Sequence, residues 1–188
     1  MKIQSPKPLP YLFPAPLVLV SCGTMITPNL ITIAWAGIVN SDPPMVSISV
    51  RPERHSYKLI DASGTFIVNL VNKEILKAAD FCGLKSGHDL NKFEATNLTP
   101  IEWGNNNIPY IKESPVSMCC KLYQKVNLGT HTMFIGEIIE IIVDEQFLEP
   151  NGKLNLEKAD LVSYITPHYH SQSDIIGTYG FSLKQTNI

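Results

Sequence analysis

Residues 28–60 read PNLITIAWAGIVNSDPPMVSISVRPERHSYKLI, and the rest of the chain is organised around this stretch. Two apolar runs are joined by Asn-Ser-Asp-Pro-Pro at positions 40–44, which is a strong turn signal. In the second run, Val46, Ile48 and Val50 alternate with residues that point to the other face. That period of two is typical of a half-buried strand. The sequence therefore predicts two strands joined by a turn, with the second strand running into Arg51.

Basic residues lie between this strand and a predicted helix. Arg51, Arg54 and His55 come just before or beside Ser56, which we expect to be the N-cap of a short helix. Free backbone N–H groups and the helix dipole favour an anion at such a place, and the planar guanidinium is suited to phosphate. The alternative is that these arginines are simply solvated, because a strand, a turn and a capped helix occur in many proteins without a ligand.

Composition excludes several classes of protein. At 188 residues, we expect one domain over 1–188 that can bury a core, and 44% hydrophobic with 17% charged residues is typical of a globular protein. The formal net charge of −2 and the lack of a basic block argue against a nucleic-acid surface. No stretch is long enough to span a membrane, so no membrane association is expected.

The cysteines and the N-terminus point to the cytoplasm. The four cysteines have no CxxC or zinc-ligand spacing, so we interpret them as reduced thiols. Residues 19–22, Leu-Val-Ser-Cys, resemble a lipoprotein cleavage site. However, four prolines between positions 8 and 16 would interrupt a signal helix, so we expect no export.

Hydrophobic periodicity predicts a mainly β chain with short helices. Predicted strands lie at 17–21, 30–35, 37–39, 45–50, 65–70, 116–126, 133–143 and 161–165. A helix is expected over 73–81 with Gly83 as its stop, and residues 85–107 as a long irregular excursion. A proline-rich extended arm (1–16) and a mobile or partner-docked tail (168–188) flank them. This pattern favours a β-barrel but does not separate it from a sandwich.

Several segments together resemble one family. They are PNLITIAW, the Asp-Pro-Pro turn, SVRPERHSYKLI, FIVNL, CGLKSGHDLNKF at 82–93 and GTHTMFIGEI at 129–138. In this order and spacing they resemble the flavin reductase-like, FMN-binding split-barrel proteins, and among them the flavoredoxin group, from about Pro14 to Tyr164. The resemblance implies a split β-barrel with Greek-key connections. It also implies a homodimer that holds FMN near the interface.

The resemblance implies a set of flavin-site residues. Those expected to cradle the phosphate are Ser47, Ser49, Arg51, Arg54, His55 and Ser56. Those expected to contact or cover the flavin ring are Asn29, Thr32, Trp35, Lys92, His131 and Tyr164. Among them Lys92 is expected to stabilise anionic flavin, and His131, which faces the ring in the family, is the catalytic candidate.

Four of the ring candidates have a plain structural alternative. Trp35 fits a core tryptophan, Asn29 a turn residue, Lys92 a solvated loop lysine and Tyr164 a barrel-facing tyrosine. The chain also departs from the family pattern beside two of these candidates. Before Lys92, Asn91 replaces an aspartate, and before His131, Thr130 replaces a frequent acidic residue.

The chain lacks the motifs of other nucleotide sites. No GxGxxG follows a strand and no GxxxxGK[ST] loop occurs. His168 and His170 have no further metal-ligand residue beside them, so no metal is expected. The resemblance therefore implies an FMN-binding oxidoreductase that passes electrons from NAD(P)H, or from a redox-partner protein, to an acceptor. Three alternatives stay open: a carrier without NAD(P)H turnover, a reductase that releases reduced FMN to a monooxygenase, and a binding barrel without redox function.

Overall fold

A computed structural model describes residues 2–172 and 174–183, and this part of the chain is mainly β. The strands are β1 (Ala15–Pro16), β2 (Val18–Gly23), β3 (Pro28–Ile33), β4 (Ala36–Ser41), β5 (Pro44–Val50), β6 (Thr65–Leu70), β7 (Pro100–Glu102), β8 (Pro109–Ile111), β9 (Val116–Asn127), β10 (Thr132–Val143), β11 (Val162–Ile165) and β12 (His168–Ser171). The helices are α1 (His55–Ser63), α2 (Leu76–Leu84) and α3 (Lys92–Thr96), and 3₁₀ turns cover Glu145–Phe147, Leu156–Ala159 and Phe181–Leu183.

Seven antiparallel strands form the main sheet, in the order β3-β2-β6-β9-β10-β5-β4. The chain leaves β5 and crosses through α1 to β6, which pairs with β2 and β9 rather than with β5. This is the crossover of a Greek-key arrangement. A smaller sheet has the order β1-β11-β12, and β7 pairs with β8. The mainly β prediction is confirmed.

The sheet curls around one apolar interior. Val46, Ile48 and Val50 of β5 are all buried there, as their alternation predicts. Phe66 and Phe134 fill the same core from β6 and β10. Strand β2 is buried on both faces: its even-numbered residues face this interior, whereas Leu19 packs into a second cluster under α2 and α3. A strand covered on both sides anchors the barrel to its helices.

The barrel is open between β3 and β5. Just after the end of β3, the Trp35 carbonyl oxygen accepts a hydrogen bond of 3.0 Å from the backbone N–H of Ser49 in β5. Beside this contact a cleft is lined by residues 31–33 of β3 and by Ser49 and Val50 of β5. The candidate site lies in this opening.

Two predicted helix boundaries are wrong. The N-cap of α1 is Arg54, not Ser56, which is a buried residue of the first turn. Helix α2 runs through Gly83 to Leu84, although Gly83 was expected to stop it. A Cβ at Gly83 would lie 3.4 Å from the Thr32 Cβ, so this glycine allows α2 to approach β3 closely.

The flanking segments are more regular than predicted. The expected excursion over 85–107 contains α3 and β7. The predicted tail begins with β12, which pairs with β11, and the arm ends in β1, which pairs with the other edge of β11. Met1, Ser173 and residues 184–188 of these segments lie outside the described residues. The single domain over 1–188 stays a prediction. Among the described residues, no helix has the length and apolarity needed to cross a membrane.

Candidate functional site

Two adjoining clefts occupy the opening of the barrel. The first, of about 210 Å³, lies between β3 and β5 and includes Trp35, Arg51 and His131. The second, of about 220 Å³, lies between the start of α1 and the end of α2 and includes Ser56 and Lys92. Ile31 and Arg54 line both clefts, so we treat them together as the split cleft. Together they reach the size of an ordinary cofactor site, about 300–1,000 Å³.

The N-terminal end of α1 makes the split cleft electropositive. Arg54 forms the N-cap without a side-chain capping bond, and His55 is the first helical residue. Arg51 reaches only Glu53, at 3.4 Å, and both side chains are exposed. An exposed ion pair of this kind is worth little, so the Arg51 guanidinium is free to bind another anion. Partial burial, followed by the charges of His88 and Lys92, lowers the pKa of His55.

Lys92 is the most unusual charged residue of the cleft. Its side chain is only 3% exposed, and its Nζ donates hydrogen bonds of 2.7 Å to the carbonyl oxygens of Leu30 and Cys82. Burial lowers its pKa, and no carboxylate pairs with it among the described residues. A buried ammonium without a counter-charge is costly, and an anion in the cleft would offset that cost. The solvated-lysine alternative is therefore wrong.

Asn29 organises the polar floor next to Lys92. It is 2% exposed, and its Nδ2 donates to Ser56 Oγ at 2.7 Å and lies 3.5 Å from Cys22 Sγ. Its Oδ1 has no hydrogen-bond partner in the described part of the chain. The turn-residue alternative is wrong, because Asn29 lies within β3 and not in a turn. Asn29 therefore fixes the position of Ser56, which lines the second cleft.

Trp35 and His131 form the other wall. Their ring centroids lie 4.7 Å apart with a 40° angle between the planes, and Trp35 is 47% exposed. Trp35 is thus not a core tryptophan; it presents an aromatic surface to the opening. The Nδ1 of His131 lies 3.0 Å from Thr130 Oγ1. Partial burial and the nearby Arg51 charge lower the pKa of His131, so its imidazole is neutral at neutral pH.

Of four other predicted residues, two line the first cleft and two lie outside the split cleft. The Thr32 hydroxyl lines the first cleft but donates to the Ala79 carbonyl of α2. Ser49 lines the first cleft, whereas Ser47 lines a neighbouring one. Tyr164 lies on β11, packed between Phe13 and Tyr169, and is not among the residues that line the split cleft. The structure therefore brings eight of the predicted residues to the split cleft together with His55. Asn29 lines a neighbouring cleft with His55 and Gly87, and Ser47 and Tyr164 lie outside the split cleft.

The sequence interpretation missed the roof of the second cleft. Gly83, Lys85, Ser86 and Gly87 line it. A Cβ at Gly87 would lie 1.7 Å from Asn29 Oδ1, so the loop can cover Asn29 only because residue 87 is glycine. The segment CGLKSGHDLNKF carries a signal for such a loop, because Gly83 and Gly87 enclose a lysine and a serine. The sequence interpretation used only its Lys92.

The cysteines offer no reactive thiol. Burial raises the pKa of Cys22 and Cys82 to about 11 and that of Cys119 to about 12. Cys119 and its neighbour Cys120 are both buried, in different apolar clusters, as their adjacent positions on a strand predict. Among residues 2–172 and 174–183, no group of three histidine, cysteine or carboxylate side chains is arranged to hold a metal ion.

A mainly β split barrel with a cationic cleft at its opening defines the class of small flavin-binding barrels. The chain belongs to the flavin reductase like domain family, whose model matches residues 11–171. It is similar to the flavoredoxin of Desulfovibrio vulgaris (Miyazaki F), with 30% identity and a TM-score of 0.86 over 94% of this chain and 97% of that one. A flavoredoxin from Methanosarcina acetivorans matches with 28% identity and a TM-score of 0.84, over 97% of this chain and 98% of that one.

A more distant relative is a ferric-chelate reductase (NAD(P)H) of Archaeoglobus fulgidus. It is 23% identical over 113 residues, which cover 58% of this chain and 66% of the relative. The resemblance noted from the sequence segments is confirmed by the family match and by the two flavoredoxin structures. The split-barrel fold is confirmed by the same structures.

Proposed function

We propose that this protein is an FMN-binding oxidoreductase that passes electrons from NAD(P)H, or from a reduced partner, to an acceptor. The observation that carries this proposal is the buried ammonium of Lys92, which faces an electropositive cleft and lacks a carboxylate partner among the described residues. FMN brings a phosphate at one end and a ring that becomes anionic on reduction. Both are anions of the kind that this cleft would stabilise.

The residues of the split cleft fit FMN. Arg51, Arg54 and the N-terminal turn of α1 would hold the phosphate, with the Ser56 hydroxyl beside them. Lys92 would stabilise negative charge on the reduced ring, and Asn29 would hold the Ser56 hydroxyl in place through its hydrogen bond. When bound, FMN supplies the hydride and electron chemistry, and the chain supplies the binding and the electrostatics.

The aromatic wall would shield and orient the ring. Trp35 offers an apolar face, and His131 beside it is neutral at neutral pH because its pKa is lowered. A neutral imidazole can donate one hydrogen bond to the ring or to a nicotinamide without adding charge. His131 therefore keeps its predicted role as the catalytic candidate. Tyr164 lies outside the split cleft, so a role over the flavin would require a movement of β11 or a second subunit.

A carrier without NAD(P)H turnover is the second candidate, and the similarity to two flavoredoxins favours it. Anaerobic visible spectroscopy separates the two. We expect a yellow protein that bleaches on addition of NADH or NADPH. Bleaching by dithionite alone would instead establish the carrier. A colourless protein that fails to bind added FMN would overturn both the oxidoreductase and the carrier. Flavin that is lost on gel filtration yet reduced by NAD(P)H in solution would identify a reductase that releases reduced FMN.

The homodimer forms part of this proposal. Large apolar side chains are exposed on three strands of the main sheet: Ile38, Val39, Tyr123, Ile139 and Ile141. Exposed apolar side chains in such numbers are typical of surfaces that bind another protein. Light scattering after gel filtration tests this assignment, which a monomer at micromolar concentration would contradict. A cytoplasmic location remains a proposal that rests on the four reduced cysteines.

A further inference from the structure

A third cleft, of about 370 Å³, adjoins the split cleft and shares Trp35 with it. We name it the arm cleft, because Pro10, Leu12 and Pro14 of the N-terminal arm form one wall. Trp35, Gly37 and Ser49 form the opposite wall. Trp35 and Ser49 also line the split cleft, so a molecule in the arm cleft would share the Trp35 ring with the proposed flavin site.

The walls of the arm cleft carry no charge. The described residues that line it are proline, alanine, leucine, glycine, serine and tryptophan. This contrasts with the split cleft, where Arg51, Arg54 and Lys92 are present. A charged ligand would lose its hydration in the arm cleft without gaining a partner, so the arm cleft discriminates in favour of neutral molecules.

The shape and the few polar groups narrow the ligand further. The indole of Trp35 and the proline rings present flat apolar faces, which suit a planar conjugated ring. The Ser49 hydroxyl, which makes no hydrogen bond within the described chain, is free to donate to a carbonyl oxygen. A Cβ built at Gly37 would meet no atom within 4 Å, so the floor beside it is open.

We propose that the arm cleft binds an uncharged quinone, the electron acceptor of this protein. Its role as acceptor rests on the proposed function, whereas the binding itself does not. Reduction of the quinone to a hydroquinone would take two electrons from the reduced flavin, which is oxidised. Of the two protons required, one would come from the anionic reduced flavin, which loses it on oxidation, and one from water. No covalent bond to the protein is formed or broken in this step. Both donor and acceptor would lie beside Trp35, which lines both clefts.

The test is ligand-observed saturation-transfer NMR with duroquinone and the purified protein. We expect duroquinone to bind and the anionic 1,4-naphthoquinone-2-sulfonate to bind about tenfold more weakly or not at all. Gly37→Leu fills the floor and should weaken duroquinone binding about tenfold. Leu12→Asp, at an exposed arm position that lines the cleft, should do the same. Leu9→Asp in the same arm does not line the cleft and should have no effect.

Four results would overturn the proposal. Equal duroquinone binding by Gly37→Leu, Leu12→Asp and the unaltered protein would place the quinone elsewhere. Equal binding of the sulfonate would remove the argument from charge. Displacement of duroquinone by FMN would assign the arm cleft to the flavin itself. A protein that retains FMN but does not bind duroquinone also overturns the quinone proposal, while it leaves the proposed function intact. One that binds duroquinone but never FMN contradicts the proposed function alone.

Discussion

Lys92 Nζ lies 2.7 Å from the carbonyl oxygen of Leu30, and this contact joins α3 to the edge strand β3 at the opening of the barrel. The same ammonium group donates to the Cys82 carbonyl at the end of α2. One buried charge thus joins three elements around the split cleft. Because the free protein offers it no carboxylate within the described chain, its stabilisation is expected to come from a bound anion.

Lys92→Met should weaken FMN binding at least about tenfold, since it removes the buried cation that faces the cleft. It should also lower the free energy of unfolding measured in the presence of FMN, because a ligand that binds more weakly stabilises the folded state less. Fluorescence titration with FMN and urea unfolding measure the two effects. Lys77→Met, at an exposed position of α2, is the control and should change neither. Unaltered FMN affinity in Lys92→Met would remove Lys92 from the site.

Gly87→Ala should displace Asn29 or the loop that covers it. The new Cβ would overlap Asn29 Oδ1, so either the loop or the Asn29–Ser56 hydrogen bond must shift. We expect a loss of about 1–3 kcal/mol in unfolding free energy and weaker FMN binding. Gly37→Ala, where a Cβ meets nothing within 4 Å, should leave the stability unchanged.

A double-mutant cycle with Asn29→Ala tests whether the overlap with Asn29 causes the loss of stability in Gly87→Ala. If the overlap is responsible, Gly87→Ala should cost less in the Asn29→Ala background than in the unaltered protein. Additive losses would show that residue 87 acts through the loop alone.

His131 should titrate below its ordinary pKa of 6.5, because partial burial and the Arg51 charge disfavour the imidazolium. Since the folded value lies below the unfolded one, folding favours the neutral ring. Its contribution to stability is therefore fully present above pH 6.5 and is lost as the pH falls through the folded pKa. An NMR titration, with the His131 signals assigned through His131→Gln, measures the folded value.

Arg51→Ala should raise the His131 midpoint part of the way toward 6.5, because burial, the larger cause, stays in place. A midpoint at or above 6.5 in the unaltered protein would contradict the neutral histidine on which its proposed role depends.

The strands of the barrel were predictable from two patterns: alternating apolar residues, as in β5, and a short continuous apolar run, as in β2, which is buried throughout. Strand β5 is the clearest case, and its alternation matches the buried interior. Strand β12 gave no such signal, because all four of its residues are exposed. It is held by its pairing with β11 and by the hydrogen bond from the Tyr169 hydroxyl to Asp80 of α2. Strands without a buried face cannot be recognised from periodicity.

The site was only partly predictable, because its decisive features depend on distant contacts. The burial of Lys92 depends on Leu30, 62 residues earlier, which no local pattern reports. Ser56 has the residue type of an N-cap, but its hydroxyl is engaged with Asn29 and the helix begins one residue before it. Gly83 has the residue type of a helix stop, but close packing against Thr32 explains it instead. In each case a tertiary contact overrides the local preference.

The central claim is that the split cleft holds the phosphate of FMN through Arg51 and Ser56. The measurement that tests it most directly is the amount of FMN bound by the double variant Arg51→Ala with Ser56→Ala, read from the visible absorbance per mole of folded protein. We expect the variant to be purified without flavin and to bind added FMN about a hundredfold more weakly. Lys58→Ala with Ser63→Ala, on the same helix but outside the cleft, should retain FMN. Full FMN occupancy in the Arg51 and Ser56 double variant would contradict the assignment.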